Sequence, residues 1–487
     1  MEILIVIGMI LVIIKRIKTI RISRQEQQRF KKISINLNVT GKKESNQYSD
    51  VNLDILGKEQ QFLYEKMENT RESMYITGKA GTGKSFLLKF FASNTRKTVA
   101  VVAPTGIAAL NIGGQTIHSL FQLDFGVQYP KQVGFIPTRL RTILKNIDVL
   151  VIDEVSMVRV DIFAMINRKM QVANNNNLPF GGKQVIMFGD LFQIPPVITD
   201  GQISRYLEDT YGGIFFFNSS IYNENAFKTY ELSEMFRQKD KKFIDILNRI
   251  RIGRPQESDF VVLNKRYNLE ACGEGILTLV TTNAKASEIN TRKLDNIQSK
   301  EYSYNAEITG DILRGDYPTE ATLKLKVGAQ VMMIKNDNME SAVGRGKSHR
   351  RWVNGTLGII TYLSEDIVKV AINGVEHIID KASWEKYRYE YDEVIGELKK
   401  EKIGEFRQYP VKLAWAITIH KSQGMTYQNV LVDMGRGAFE CGQTYVALSR
   451  CIDLNNLYLK TKLYQKDIKT SQQIIDFMNN SIKTDIN

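Results

Sequence analysis

The sequence predicts an α/β protein of two lobes, each a parallel sheet with helices on both faces, the second interrupted by a small antiparallel barrel. Three observations carry this. Short apolar runs alternate with helical patterns along most of the chain. A glycine-rich loop stands between a strand pattern and a helix pattern near residue 80. A later stretch of alternating apolar and polar residues contains the turn dipeptides Asn354-Gly355 and Asn373-Gly374. A length of 487 residues exceeds one ordinary core, and 43% hydrophobic with 24% charged residues excludes a disordered chain.

The first lobe is expected to take its strands from residues 74–77, 99–102, 149–152 and 185–188, which are short, apolar and bounded by turn residues. Similar runs at 277–280, 413–416, 430–432 and 457–459 predict the second sheet. Between about 323 and 405 the alternating stretches 330–334, 356–362 and 367–372 predict the inserted barrel.

Residues 3–14 are almost wholly apolar and are followed by Lys15, Arg16, Lys18 and Arg21. The run is shorter than the roughly 20 residues a membrane-spanning helix needs. Its charges follow the apolar run instead of preceding it, the wrong order for a secretory signal. A frayed end, an upstream start codon and a membrane tether with the body of the protein on the cytoplasmic side all remain open. Residues 21–49 are polar and aperiodic, a linker.

The net charge of +13 attracts polyanions, nucleic acid first among them, although a membrane surface would satisfy it too. Cys272, Cys441 and Cys451 have neither disulfide-framework nor zinc spacing, which points to a reducing interior.

The segment Gly78-Lys79-Ala80-Gly81-Thr82-Gly83-Lys84-Ser85 has the spacing and strand-to-helix setting of a phosphate-binding loop. Its backbone N–H groups would surround phosphates, Lys84 would meet the β- and γ-phosphates of ATP, and Ser85 would bind magnesium. The pattern at 147–152 ends in Asp153-Glu154. One carboxylate there can hold magnesium and the other can orient and deprotonate water. Gln193, in Phe188-Gly189-Asp190-Leu191-Phe192-Gln193-Ile194-Pro195-Pro196, ends a further strand at the same sheet edge, where its amide can sense the γ-phosphate.

The order and spacing of these blocks resemble the PIF (petite integration frequency) family of superfamily-one, B-type DNA helicases. Further blocks are similar. Leu56-Gly57-Lys58-Glu59-Gln60 resembles an adenine-reading motif carried by Gln60. The blocks 103–109 and 114–119 resemble strand-contacting motifs, and 178–182 resembles the stretch that separates the family from its RecD-like relatives. Arg237 in Leu232-Ser233-Glu234-Met235-Phe236-Arg237-Gln238 and Arg450 in Tyr445-Val446-Ala447-Leu448-Ser449-Arg450 match arginine-finger motifs. His420 and Lys421 lie in another matching block, 416–424. Leu191 and Ile194 depart from the family pattern conservatively.

The resemblance implies two tandem RecA-like lobes: 50–200 with a small wedge at about 121–140, then 201–320 and 409–487 as two parts of the second, the latter with a carboxy-terminal helix. The barrel would fill 321–408, and ATP would sit between the lobes. Arg237 and Arg450 would reach it from the second. DNA would cross the top of both lobes, touching Thr105, His118, Ser119, His420 and Lys421. The implied activity is ATP-dependent translocation from 5′ to 3′ on single-stranded DNA with unwinding at duplex junctions. Implied roles are DNA repair, recombination and telomere maintenance, by a monomer in the cytoplasm, or in the nucleus or mitochondria of a eukaryote. The alternative is an ATP-switched nucleic-acid-binding module that does not unwind, and a membrane-tethered scaffold explains least of the chain.

Overall fold

A computed structural model describes residues 53–481 except 125, 199, 225–226, 237, 239, 270–274, 315–316, 338–350 and 393–396. The apolar amino end, the linker, Cys272 and Arg237 therefore lie outside the described residues. No helix among the described residues is long and apolar enough to cross a membrane.

The first sheet contains β1 (Met74–Gly78), β2 (Val99–Ala103), β3 (Gln115–Thr116), β4 (Val149–Ile152), β5 (Gln184–Phe188) and β6 (Lys228–Leu232). All six are parallel, in the order β3-β2-β4-β5-β1-β6. Continuous apolar strands suit a sheet buried on both faces. Met74 and Ile76 of β1 pack with Leu63, Met67, Leu87 and Phe91 of the helices Lys58–Asn69 and Lys84–Asn94. Tyr75, between them, faces Ile143, Phe163 and Ile166 of the helices Thr138–Asn146 and Val160–Asn174. The strand's two-residue period thus assigns each helical layer its core.

The second half of the chain contributes β7 (Leu277–Val280), β8 (Glu301–Asn305), β9 (Glu307–Gly310), β10 (Thr322–Lys326), β11 (Gln330–Met333), β12 (Leu357–Leu363) and β13 (Val368–Ile372). It continues with β14 (Val375–Ile379), β15 (Ala382–Asp392), β16 (Glu397–Gln408), β17 (Val411–Leu413), β18 (Ala416–Thr418), β19 (Val430–Asp433) and β20 (Leu457–Leu459). A second parallel sheet has the order β18-β7-β19-β20. An antiparallel sheet, β14-β13-β12-β11-β17, carries the alternating stretches. Asn373 (φ 53°) and Gly374 (φ 78°) form the two-residue turn joining β13 to β14, both in the left-handed region such hairpins require.

Three features differ from the sequence reading. β6 extends the first sheet to Leu232, so the first sheet runs past the expected boundary at 200, because β6 pairs in parallel along the whole of β1. The antiparallel region starts at β8, before 321, and runs past 408 into β17; β8 and β9 are polar and carry no apolar alternation that would announce them. The β8–β10 pair packs on this antiparallel sheet, its Tyr304, Leu323 and Leu325 sharing a core with Val331 and Val370. The run at 413–416 divides between two sheets, Leu413 ending β17 and Ala416 starting β18.

The final helix, Gln472–Asn480, was expected in the second lobe and instead packs on the first. Its Ile474 and Met478 join the first-lobe core, and Phe477 stacks on Phe217 with ring centroids 4.1 Å apart. The aromatic run 215–217 supplies a surface that the helix's apolar stripe covers.

Candidate nucleotide and nucleic-acid site

The glycine-rich loop leaves β1 at Gly78 and enters the helix Lys84–Asn94 at Gly83, its left-handed N-cap (φ 82°). A Cβ at Gly83 would lie 2.4 Å from Gln60 Nε2, the movable end of a side chain, so it is φ that requires glycine here. The loop is drawn in from below, with Thr82 fully buried and its hydroxyl donating to the Lys79 carbonyl at 3.0 Å. Lys84 Nζ donates to the carbonyls of Gly78 (2.6 Å) and Lys79 (3.1 Å), whereas Ser85 is exposed. Gln60 accepts from the Gly57 N–H at 3.1 Å and reaches the Gly83 carbonyl at 3.4 Å, linking the preceding helix to the loop.

Asp153 follows β4, buried, and accepts the Glu154 N–H at 2.9 Å. Glu154 adopts a left-handed backbone (φ 48°), a strained position for a residue with a Cβ that costs on the order of 1 kcal/mol. Burial raises the pKa of Asp153, the neighbouring Glu154 charge adds to this, and the Lys84 charge opposes it. Burial also raises Glu154, against the charges of Lys84 and Arg450. A buried and a half-buried carboxylate held beside two cations can take up or share a proton and can hold a hard cation.

The opposite wall belongs to the second lobe. Arg450 caps the helix Gln443–Ser449 and is 1% exposed. It donates to the carbonyls of Val446 (3.0 Å), Ser422 (3.2 Å) and Met425 (3.2 Å) and to Ser449 Oγ (2.9 Å). Burial lowers the Arg450 pKa, the neighbouring Tyr445 and Glu154 oppose this, and the high intrinsic basicity of a guanidinium keeps the group charged. Arg237 lies outside the described residues, but the residues before it lie against the first lobe: Phe236 N–H donates to the Gly81 carbonyl at 3.0 Å, and Glu59 accepts the N–H groups of Ser233 and Glu234.

Gln193 sits beside Asp190, a fully buried carboxylate that was quoted in the sequence block but given no role. Asp190 Oδ1 accepts Arg251 Nη2 at 2.9 Å and Nε at 3.2 Å, and Gln193 Nε2 lies 3.4 Å from Oδ2. Arg251 ends the helix Lys241–Arg251 of the second lobe and stacks on the Phe192 ring at 4.4 Å. Tyr445, on the helix that carries Arg450, accepts the Ala80 N–H at 2.9 Å. Sequence reading missed these three. Asp190 and Tyr445 stood inside matched blocks, while nothing local distinguishes Arg251 from any other arginine at a helix end.

The expected DNA contacts fall in two groups at the carboxyl ends of strands. Thr105 follows β2, and its hydroxyl caps the next helix by accepting the Ala108 N–H at 3.2 Å. His118 and Ser119 lie on the helix Ile117–Phe121, after β3. Burial lowers the pKa of His118, and the Arg159 charge adds to this. His420 and Lys421 follow β18; Lys421 is exposed, and His420 Nε2 is 2.8 Å from Glu440 Oε2. The structure therefore assigns His420 a carboxylate neighbour that sequence gave no sign of.

Residues 55–260 match the family model described as PIF1-like helicase. The chain is 31% identical to the ATP-dependent DNA helicase Pif1 of Bdellovibrio bacteriovorus, over 80% of this chain and 84% of that one. It is 33% identical to the human ATP-dependent DNA helicase PIF1 over 79% of this chain but spans 58% of the length of that relative. Among solved structures, Pif1 from a Bacteroides species in complex with ADP-AlF4 superposes with a TM-score of 0.79 at 34% identity, covering 88% of this chain and 97% of that one. Bacteroides Pif1 bound to ssDNA superposes with a TM-score of 0.64 at 35% identity, covering 87% and 96%. By this likeness to full-length relatives, carried on a phosphate loop and strand-end carboxylates between two parallel-sheet lobes, the chain belongs to the PIF1-like helicase family.

Proposed function

We propose that the chain is an ATP-dependent DNA helicase that moves from 5′ to 3′ on single-stranded DNA and opens duplexes at junctions. The observation that carries this reading is the contact of the second lobe with the phosphate loop, where Tyr445 accepts the Ala80 N–H at 2.9 Å on the helix that Arg450 caps, while Asp153 and Glu154 stand on the loop's own side. Hydrolysis in such a cleft is sensitive to the separation of its walls, which lets it be converted into motion.

In this reading the backbone of Gly78, Ala80, Gly81, Thr82 and Gly83 and the side chain of Lys84 hold the nucleotide phosphates, and Gln60 lies where it can meet the base. Glu154 takes a proton from the attacking water. Gln193 carries a buried Oε1 without a partner, an acceptor suited to orienting that water or reporting on the γ-phosphate. Arg450, with Arg237 assigned by resemblance, neutralises charge on the transferred group. Magnesium fits the donors present: Ser85 and Asp153 offer hard oxygens, and a divalent cation would relieve the repulsion between Asp153 and Glu154. When bound, it would screen phosphate charge.

Thr105, His118, Ser119 and Lys421 offer donors to the DNA backbone, with His420 set by Glu440. The chain acts as a monomer in this reading, away from membranes. The test is displacement of a labelled strand from duplexes with a 5′ or a 3′ single-stranded tail, with Glu154→Gln as control. Unwinding from the 5′ tail alone, lost in Glu154→Gln, is expected. Unwinding by Glu154→Gln at the wild-type rate would sink the proposal in favour of an ATP-switched binding module.

A further inference from the structure

We infer that Tyr445 is a positioning residue whose hydroxyl ties the phosphate loop and the Asp190–Gln193 segment to the second lobe, coupling ATP turnover to DNA. This rests on the reading of the nucleotide site given above. Tyr445 is 3% exposed, and both polar partners of its hydroxyl belong to the other lobe: it accepts from Ala80 N–H at 2.9 Å and lies 3.4 Å from Asp190 Oδ2. A hydroxyl serving only its own lobe would bond to neighbouring carbonyls, as the guanidinium of Arg450 does on the same helix. Gln193 Nε2 shares that oxygen of Asp190, also at 3.4 Å. One carboxylate oxygen thus lies between the amide proposed to report on the γ-phosphate and the tyrosine that grips the loop.

The frame around this oxygen is stiff. Arg251, 5% exposed and also from the second lobe, fixes Asp190 through Oδ1 and covers Phe192. Gly442, which caps the tyrosine's helix, is seated so closely on the carbonyls of Phe192 and Gln193 that a Cβ there would lie 2.5 Å from each oxygen. A change at Gln193 therefore reaches the helix of Tyr445 and Arg450 through direct contacts, with no intervening flexible segment. The three contacts to Asp190 Oδ2, from Tyr445, Gln193 and Arg251 Nε, are each 3.4 Å, longer than ordinary hydrogen bonds, and are the adjustable members.

Tyr445→Phe removes the hydroxyl and keeps the ring, so the full-length variant should fold. ATP turnover is measured with and without single-stranded DNA, alone and in a cycle with Gln193→Ala. The ratio of DNA-stimulated to basal turnover should fall roughly tenfold, the order that one buried hydrogen bond carries. The double variant should be within about twofold of Gln193→Ala, because both changes break one path. A melting temperature lowered with the ratio unchanged would reduce Tyr445 to a structural role, and multiplicative losses in the double variant would also overturn the inference. Glu154→Gln in the same assay separates the two ideas: retained hydrolysis there defeats the reading of the site, whereas its loss beside an unaltered Tyr445→Phe defeats only the coupling role.

Discussion

Gly442→Ala isolates the contact between the lobes from the chemistry inside it. Two penalties are expected. At φ 72° an alanine sits in the left-handed region, at a cost of about 1 kcal/mol. Its Cβ would also meet the carbonyl oxygens of Phe192 and Gln193 at 2.5 Å, where ordinary contact begins at 3.4 Å. A well-packed seam cannot absorb that overlap by side-chain rotation, because both atoms struck are backbone. The helix bearing Tyr445 and Arg450 must retreat by about 1 Å, a displacement that costs on the order of 10²-fold when it misplaces catalytic groups. The expected result in a DNA-stimulated ATPase assay is a fall in kcat of roughly that size, with nucleotide affinity changed less because the phosphate loop keeps its own residues and loses only the Tyr445 contact at Ala80. Gly435→Ala is the control: its φ is 59° and an added Cβ meets nothing within 4 Å, so it carries the backbone penalty without the collision. Equal turnover in the two variants, or wild-type turnover in Gly442→Ala, would refute the reasoning.

Other outcomes follow from the same geometry. Arg450→Ala should lower kcat by on the order of 10³ with a smaller change in ATP affinity, measured by single-turnover hydrolysis and nucleotide titration. Lys421→Ala should reduce by about one the slope of log affinity for single-stranded DNA against log salt; an unchanged slope removes Lys421 from the DNA path. Phe477→Ala should lower the urea midpoint by the equivalent of about 1–3 kcal/mol, since the half-buried ring stacks on Phe217. Asp190→Asn removes the nearer carboxylate of buried Arg251, leaving Glu231 at 3.6 Å, and should cost about 3 kcal/mol near neutral pH, the low end for a broken buried pair. Burial alone would raise the Asp190 carboxyl, but the charges of Arg251 and Lys84 hold it below the ordinary carboxylate value. A depressed pKa contributes stability above the unfolded value of about 3.9, and that stability is lost as pH falls through the folded value. The gap between wild type and Asp190→Asn should therefore narrow in acid, and a gap independent of pH would show that Asp190 is not charged in the fold.

What could be read in the sequence was whatever depends on local pattern. The runs at 74–77, 99–102 and 149–152 are strands because apolar residues flanked by turn formers have few other uses. The loop from Gly78 to Ser85 is legible because φ and spacing restrict it residue by residue. What escaped depends on partners far along the chain. β8 is a strand because β10 pairs with it, through residues that are polar and mostly exposed. β6 joins the first sheet because β1 has an open edge, a fact about topology that no composition shift marks. Arg251 matters because it forms a buried ion pair with Asp190 of the other lobe, and the charge of either residue alone says nothing about the pairing.

The return of the last helix to the first lobe has a consequence for synthesis. The helix of Ile474, Phe477 and Met478 completes a core by covering Phe216, Phe217 and Tyr222, which are made some hundreds of residues earlier. While the second lobe is still being translated, that aromatic face is open to water, and at about 5–20 residues per second it stays so for roughly ten to fifty seconds. The closing contacts are among the longest-range in the chain, the kind that form late. A ribosome stalled after β20 would therefore hold a first lobe with its sheet laid down and an apolar face uncovered, a natural target for chaperones.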